Sequence, residues 1–264
     1  MRHDREQLRT TFDEVALLYD QARPGYPEQV FDDVISLSNI PPRGRILEIG
    51  CGTGKATVPF AQRGYRIRCV ELGENLAAVA RHNLAAFADV DIYIGAFETW
   101  PAEHEAFDLV VAATAWHWVD PAVGFPKAAQ VLKPRGTLAI FGSQHVKIDG
   151  DRGFFDAVQE VYRREAPELP TDFRLPNPEE IEDSAKTIAA SGFFEVVAAR
   201  RYVGSLTYDA ASYIRVLETY SDHRSLPPQQ RERLYRGLVQ MIDTQAGGRI
   251  TKGYLTTLAV ARRR

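Results

Sequence analysis

Residues 45–54 read Arg-Ile-Leu-Glu-Ile-Gly-Cys-Gly-Thr-Gly. A short apolar run stops in glycines at positions 50, 52 and 54, and a helical pattern follows over Thr57–Gln62 until Gly64. The run has the length of a buried strand. Glycines after it permit positive φ and, lacking Cβ, let the backbone pass close to a ligand. The spacing narrows the choice of ligand. A phosphate-binding loop requires G-x-x-x-x-G-K-[ST], but Ile49 stands at the first glycine and Ala56 at the hydroxyl position. A dinucleotide fingerprint requires a third glycine for close helix–strand packing, and Lys55 occupies that place. What remains is G-x-G-x-G with Glu48 two residues ahead of it. A nicotinamide-dependent oxidoreductase and a ligand-free turn stay open at this point.

Outward from the loop the pattern repeats. Strands are expected at Arg66–Val70, Val90–Ile94, Phe107–Ala113 and Thr137–Phe141, with helices at Asn75–Phe87 and Pro121–Leu132 and a turn at Lys133–Gly136. Strands alternating with helices argue for an α/β fold, a doubly wound parallel sheet with helices on both faces. Glu71 ends the second strand, 19 residues after Gly52, where a carboxylate can accept both hydroxyls of a ribose. Upstream, Thr11–Tyr19 has helical spacing. Arg23-Pro-Gly-Tyr-Pro27 breaks it, and a helix resumes with Val30, Phe31, Val34 and Ile35 on one face.

Downstream the alternation loosens. Helices are expected at Phe154–Glu165, Pro178–Ser191, Ala210–Leu217 and Pro228–Ala246, a proline-rich segment at Pro167–Pro178, and strands at Phe194–Val203 and Thr251–Ala261. The chain reads as one domain, with its core at about 28–146, 193–203 and 251–262. The remainder (1–27, 147–192 and 204–250) forms a lid over the carboxyl edge of the sheet, where ligands of open α/β sheets bind.

Composition excludes several classes. The chain has 264 residues, 45% apolar and 25% charged, which fits a globular domain and not a disordered one. A net charge of −3 gives no electrostatic reason to expect nucleic acid. The uncharged apolar run Leu109–Trp116 is far short of the roughly 18 residues of a membrane span. The charged start has no apolar signal region, and Cys51 and Cys69 make no disulfide framework, so a cytoplasmic setting is expected. The six histidines (3, 82, 104, 117, 145, 223) lack ligand spacing, so no metal is expected. No G-x-S-x-G nucleophile elbow is present.

At ILEIGCGTG, Val70-Glu-Leu72, Phe107-Asp-Leu-Val-Val and Leu132-Lys-Pro-Arg-Gly-Thr-Leu138 the sequence resembles the class I S-adenosylmethionine-dependent methyltransferases, over about residues 43–142. Phe12–Pro27 and Ala115-Trp-His-Trp-Val-Asp120 are similar to its small-molecule branch, which includes trans-aconitate and ubiquinone/menaquinone methyltransferase-like enzymes. The resemblance implies a Rossmann-like seven-stranded sheet of order 3-2-1-4-5-7-6 with strand 7 antiparallel. It implies S-adenosylmethionine as cofactor, S-adenosylhomocysteine as product, and a small organic acceptor, O-methylation being the first expectation and N- or C-methylation the next. It places Gly50, Cys51, Gly52, Glu71, Leu72, Phe97 and Thr114 around the cofactor, with Tyr19 and Arg23 on the methionine carboxylate. The family often has Asp near position 96, but this sequence has Gly95-Ala96-Phe97-Glu98, so the adenine contact falls to backbone, Phe97 or Glu98. That change also keeps a non-catalytic nucleoside-binding relative open.

Acceptor contacts are expected from Trp116, Trp118, Tyr220, His223 and Arg224. His117 and His145 follow the fourth and fifth strands and should face the crevice as possible proton acceptors. Residues 5–25 lie outside the alternating core and are expected to order around the cofactor. The sequence says nothing about oligomeric state.

Overall fold

β1 (Arg45–Ile49) is buried along almost its whole length, as a strand covered on both faces must be. In the computed structural model, which describes residues 13–151, 153–169 and 174–264, β1 pairs in parallel with β2 (Arg66–Glu71) on one side and β4 (Phe107–Ala113) on the other. β3 (Val90–Ile94) lies outside β2, and β5 (Leu132–Val146) outside β4. β7 (Arg249–Arg263) then runs antiparallel between β5 and β6 (Phe194–Asp209). The order is β3-β2-β1-β4-β5-β7-β6, the one the resemblance implied.

Alternate residues of each strand feed opposite layers. Ile46, Ile67, Leu109 and Phe141 pack under α2 (Glu28–Ser38), which carries Val30, Phe31 and Val34, and under α3 (Thr57–Gln62), which carries Phe60. Leu47, Val110 and Leu138 pack on the other side against Phe125 and Val131 of α5 (Pro121–Val131) and Ile188 of α8 (Ala185–Ala190). α4 (Glu74–Asn83) joins the first layer through Ala80. Because β1–β3 wind one way from the centre and β4–β5 the other, the carboxyl ends of β1 and β4 form a topological switch point, where such sheets open a crevice.

A third core belongs to the lid. α6 (Phe154–Ala157), α7 (Gln159–Glu165), α9 (Ala210–Leu217), α10 (Ser221–Ser225) and α11 (Pro228–Gln245) bury Phe155, Tyr213, Leu234, Leu238 and Ile242 together. α1 (Ala16–Ala22) leans on α4, where Asp13 accepts the Leu76 N–H at 2.8 Å and so caps that helix.

The element ends differ from expectation where strands leave the helical layers. β5 runs from Leu132 to Val146, and the expected turn survives inside it as a register shift opposite Phe107–Leu109, with Arg135 at φ +64°. β6 continues past Val203 to Asp209, still paired with β7 at Arg249. This hairpin arm alternates weakly because it carries the lid rather than covering a core. The helices expected over 154–165 and 178–191 are each interrupted. Residues 5–12 of the N-terminal stretch, with Thr11 and Phe12 of its expected helix, lie outside the described residues, as do 170–173 of the proline-rich segment. Among the described residues, no helix is long and apolar enough to cross a membrane, and no cluster of three His, Cys, Asp or Glu could hold a metal. Cys51 and Cys69 are buried and free.

Candidate active site

Parallel pairing continues one step beyond the strand ends. The Gly50 N–H donates to Val70 O, the Gly95 N–H to Glu71 O and the Thr114 N–H to Phe141 O, each at 2.8 Å. Four segments therefore stop at one level, and the crevice opens above them. Gly50 has φ +67°, and a Cβ there would meet the Ala115 Cβ at 2.6 Å. Gly52 has φ +57° and nothing within 4 Å of a Cβ position, so its bare face looks into the crevice. The two glycines serve different ends: the first lets two loops touch, and the second keeps ligand space open.

Glu71 is fixed by the loop it faces. Its two carboxylate oxygens accept the Gly52 N–H at 2.8 Å and the Gly73 N–H at 2.9 Å. A carboxylate has about four acceptor sites, and with the Leu72 N–H also close by, these donors still leave acceptor capacity on a side chain that lines the crevice. Burial raises its pKa, and the backbone donors partly offset that.

Glu48 lies deeper, 1% exposed on the crevice floor. Neither of its oxygens has a protein hydrogen bond of good geometry, although the Thr57 hydroxyl beside it offsets a little of the burial. Desolvation pushes its carboxyl up to about 7. A buried, unpartnered carboxylate at a cavity floor suits a cation. Its place in the sequence was visible as the acid before the glycines, but burial was not.

Tyr26 and Lys55, which the sequence left unassigned, complete the walls beside residues it had singled out. Tyr26 shares a 2.8 Å hydrogen bond with Thr114, a non-glycine residue held at φ +52°. Lys55 donates to the Asp20 carbonyl at 2.6 Å, so the residue that replaces the third glycine ties α1 to the loop. Arg23 lies between two rings, its guanidinium carbon 5.6 Å from the centre of Tyr19 and 4.1 Å from that of Tyr220. Its Nε donates to the Thr219 hydroxyl at 2.6 Å.

The crevice lining includes Tyr19, Arg23, Gly50, Cys51, Gly52, Glu71, Leu72, Phe97, Thr114, His117 and Trp118, all singled out from the sequence. Five assignments need correction. Ala96 does not line it, because its carbonyl turns back to accept the Thr99 and Trp100 N–H groups. Glu98 instead accepts the Asp120 N–H at 3.2 Å, bracing the start of α5. Trp116 is buried in the core 4.9 Å from the Phe125 ring, in room left by Gly124. Arg224 pairs with Glu14 at 2.8 Å. His145 faces away from the crevice into a second cavity of about 230 Å³, shared with Tyr220 and His223. There, burial and the nearby Lys252 push its pKa down to about 2, so it is neutral and a poor proton acceptor near pH 7.

Residues 47–140 match the methyltransferase domain family. An uncharacterized methyltransferase of Mycobacterium tuberculosis is 29% identical over 178 residues, which are 67% of this chain and 69% of that protein. A malonyl-[acyl-carrier protein] O-methyltransferase of Geobacter sulfurreducens is 31% identical over 147 residues, 53% of this chain and 54% of its own. Among solved structures, one described as a type II methyltransferase from Anaeromyxobacter dehalogenans shares the fold with a TM-score of 0.63 at 20% identity, covering 91% of this chain and 97% of that one. These matches support the methyltransferase reading over the nicotinamide one that the spacing had left open. The glycine loop, the acid at the end of β2, the strand order and the match over residues 47–140 converge: the chain is a methyltransferase that uses S-adenosylmethionine.

Proposed function

We propose that the chain transfers methyl groups from S-adenosylmethionine to a small organic acceptor, with oxygen as the receiving atom, and that the crevice residues hold the cofactor. The observation that carries the cofactor assignment is Glu71, which lines the crevice and is locked by the Gly52 and Gly73 amides with acceptor capacity to spare. That capacity suits the vicinal hydroxyls of a ribose. The open face of Gly52 admits the nucleoside close to the backbone. Glu48 suits the α-ammonium group, and the Arg23 fork suits the carboxylate of the methionine part. Leu72, 36% exposed, and the edge of Phe97 offer apolar surface to the adenine. Oxygen as the receiving atom is supported by the O-methyltransferase named among the relatives.

When bound, the cofactor supplies a sulfonium methyl whose carbon–sulfur pair stays on sulfur as the new oxygen–carbon bond forms and the acceptor's proton leaves. What the protein contributes is alignment and exclusion of water, effects worth up to roughly 7–11 kcal/mol. His117, exposed on the crevice wall beside Trp118, is the crevice side chain suited to take the proton of a hydroxyl acceptor, and an acceptor bound as its anion needs none.

Calorimetric titration with S-adenosylhomocysteine tests the cofactor half. Binding by the full chain, lost in Glu71→Ala, is expected, and no binding by the unmodified protein would remove the proposal. Isotope-labelled cofactor with a panel of hydroxyl, carboxyl and amine acceptors tests the other half. Label found only on nitrogen would overturn the choice of oxygen.

A further inference from the structure

The second cavity is lined by the rings of Phe155, Tyr162, Tyr213 and Tyr220, by lid leucines, and by one cation, Lys252. Lys252 is 1% exposed, on β7 where the hairpin arm enters the lid. Its ammonium donates once, to the Tyr220 hydroxyl at 2.8 Å, and lies 5.2–5.7 Å from the centres of the Tyr213, Tyr220 and Tyr254 rings. Among the described residues no carboxylate pairs with it. An ammonium has three donors, and burying one without an anion is costly. Ring faces and one phenol answer only part of that demand.

Two further buried atoms want partners in the same place. His145 Nε2 and His223 Nδ1 have no hydrogen bond, and both imidazoles line the cavity. Among the described residues the one acid on the lining is Asp222, which is exposed and accepts the backbone N–H of His223 at 2.8 Å. The interior is therefore cationic, aromatic and supplied with two idle hydrogen-bonding nitrogens. Its volume is about 230 Å³, close to the about 220 Å³ of the cofactor crevice.

Position gives the cavity its role. Tyr220 faces it, and Arg23, stacked on the other side of Tyr220, lines the cofactor crevice. The two spaces are therefore neighbours across the Arg23–Tyr220 contact. We infer that the second cavity is the acceptor pocket and that it takes a small, flat organic acid, its apolar body among the tyrosines and its carboxylate or phenolic oxygen on Lys252. This rests on the methyltransferase assignment and names its acceptor class.

The test is calorimetry on the full chain, with and without saturating S-adenosylhomocysteine. The titrants are benzoate, cinnamate and phenol, set beside benzamide, cinnamamide and anisole. At least one acid should bind about tenfold or more tighter than its neutral counterpart, as a charge-assisted contact requires. Preference for benzoate or cinnamate assigns a carboxylate acceptor, and preference for phenol a phenolic one. Lys252→Met should weaken the preferred acid about thirtyfold or more while the neutral counterpart and S-adenosylhomocysteine stay within about threefold. Neutral counterparts binding as tightly as the acids, none of the acids binding, or acid affinity unmoved in Lys252→Met would each overturn the inference. Should Lys252→Met not fold, the comparison of acids with neutral counterparts in the unmodified protein still decides. If S-adenosylhomocysteine itself fails to bind, the cofactor assignment falls, and the titrations without it still judge the cavity.

Discussion

The crevice and the second cavity are neighbours across the Arg23–Tyr220 contact, yet they are built in different ways. The crevice is made from chain segments that stop at one level of the sheet, and its defining contacts are backbone ones: Gly50, Gly52 and Gly73, with Glu71 between them. The second cavity is made of side chains from α6, α7, α9, α10, β5 and β7, brought together by the lid. Their charged groups are also arranged differently. The crevice lining carries Glu48 and Glu71 together with Arg23 and Lys55, whereas the cavity carries the buried Lys252 with Asp222 exposed on its lining.

The largest expected effect breaks the backbone side alone. Gly52→Val places a branched side chain at φ +57° and in the open space above the loop. It should reduce S-adenosylhomocysteine affinity by a factor of about 10³, near 4 kcal/mol. The strain should cost about 1–3 kcal/mol of stability. Acid binding in the second cavity should survive, and its loss in parallel would show that the two spaces are one site. Calorimetry on the same sample reads both.

This contrast also explains what was legible in the sequence. The G-x-G-x-G spacing and the acid 19 residues on could be read because one turn and the end of the adjacent strand make that wall. Thr114 and His117 could be placed because they follow a recognisable strand. Lys252 could not, since a lysine in an alternating strand reads as solvent-facing, and only the lid's packing buries it. His145 follows a strand expected to stop at Phe141, but β5 runs on to Val146 and carries it out of the crevice. Glu98 and Trp116 stand in the right segments but turn to brace α5 and fill the core.

Protonation should separate the two regions by sign. Glu48 sits at about 7 against an ordinary 4.5, so its contribution to stability is full below about pH 4.5 and lost as pH rises through about 7. The loss is about 3 kcal/mol. His145 and His223 are held down to about 2 and about 4 against 6.5, so their contributions are full above pH 6.5 and lost as pH falls. Each costs about 1.4 kcal/mol per pH unit below that point. Two histidines gain while one glutamate loses up to pH 6.5, so on these groups the apo chain should be most stable near pH 6.5–7. Glu48→Gln should flatten the alkaline side of a plot of Tm against pH, and His145→Gln the acid side. A Tm in Glu48→Gln that still falls between about pH 5 and 8 would place the alkaline loss elsewhere. Affinity for S-adenosylhomocysteine, which carries the same ammonium group, should rise as Glu48 ionises, with no such rise in Glu48→Gln.

Arg23 sharpens the comparison because it lines the crevice and stacks on Tyr220, which lines the cavity. Arg23→Ala removes a group stacked on Tyr19 and Tyr220 and bonded to Thr219. KM for cofactor and acceptor should each rise about tenfold. An effect confined to the cofactor would make the stack a wall of the crevice only.

The smallest effect separates positioning from binding within the crevice. Tyr26→Phe deletes the hydroxyl that meets Thr114 at 2.8 Å but keeps the ring, which packs edge-on against Phe141 with centres 5.0 Å apart. Stability should fall by about 1 kcal/mol, the usual worth of one hydrogen bond. Thr114 is held at φ +52°, so losing its partner should loosen the turn that carries His117 and Trp118. That loosening should lower kcat about threefold and leave the cofactor KM nearly unchanged, because the interaction lost is one that aligns groups for transfer. A KM change without a kcat change would instead make Tyr26 a direct cofactor contact, and the hydroxyl would then belong with Glu71 rather than with the turn.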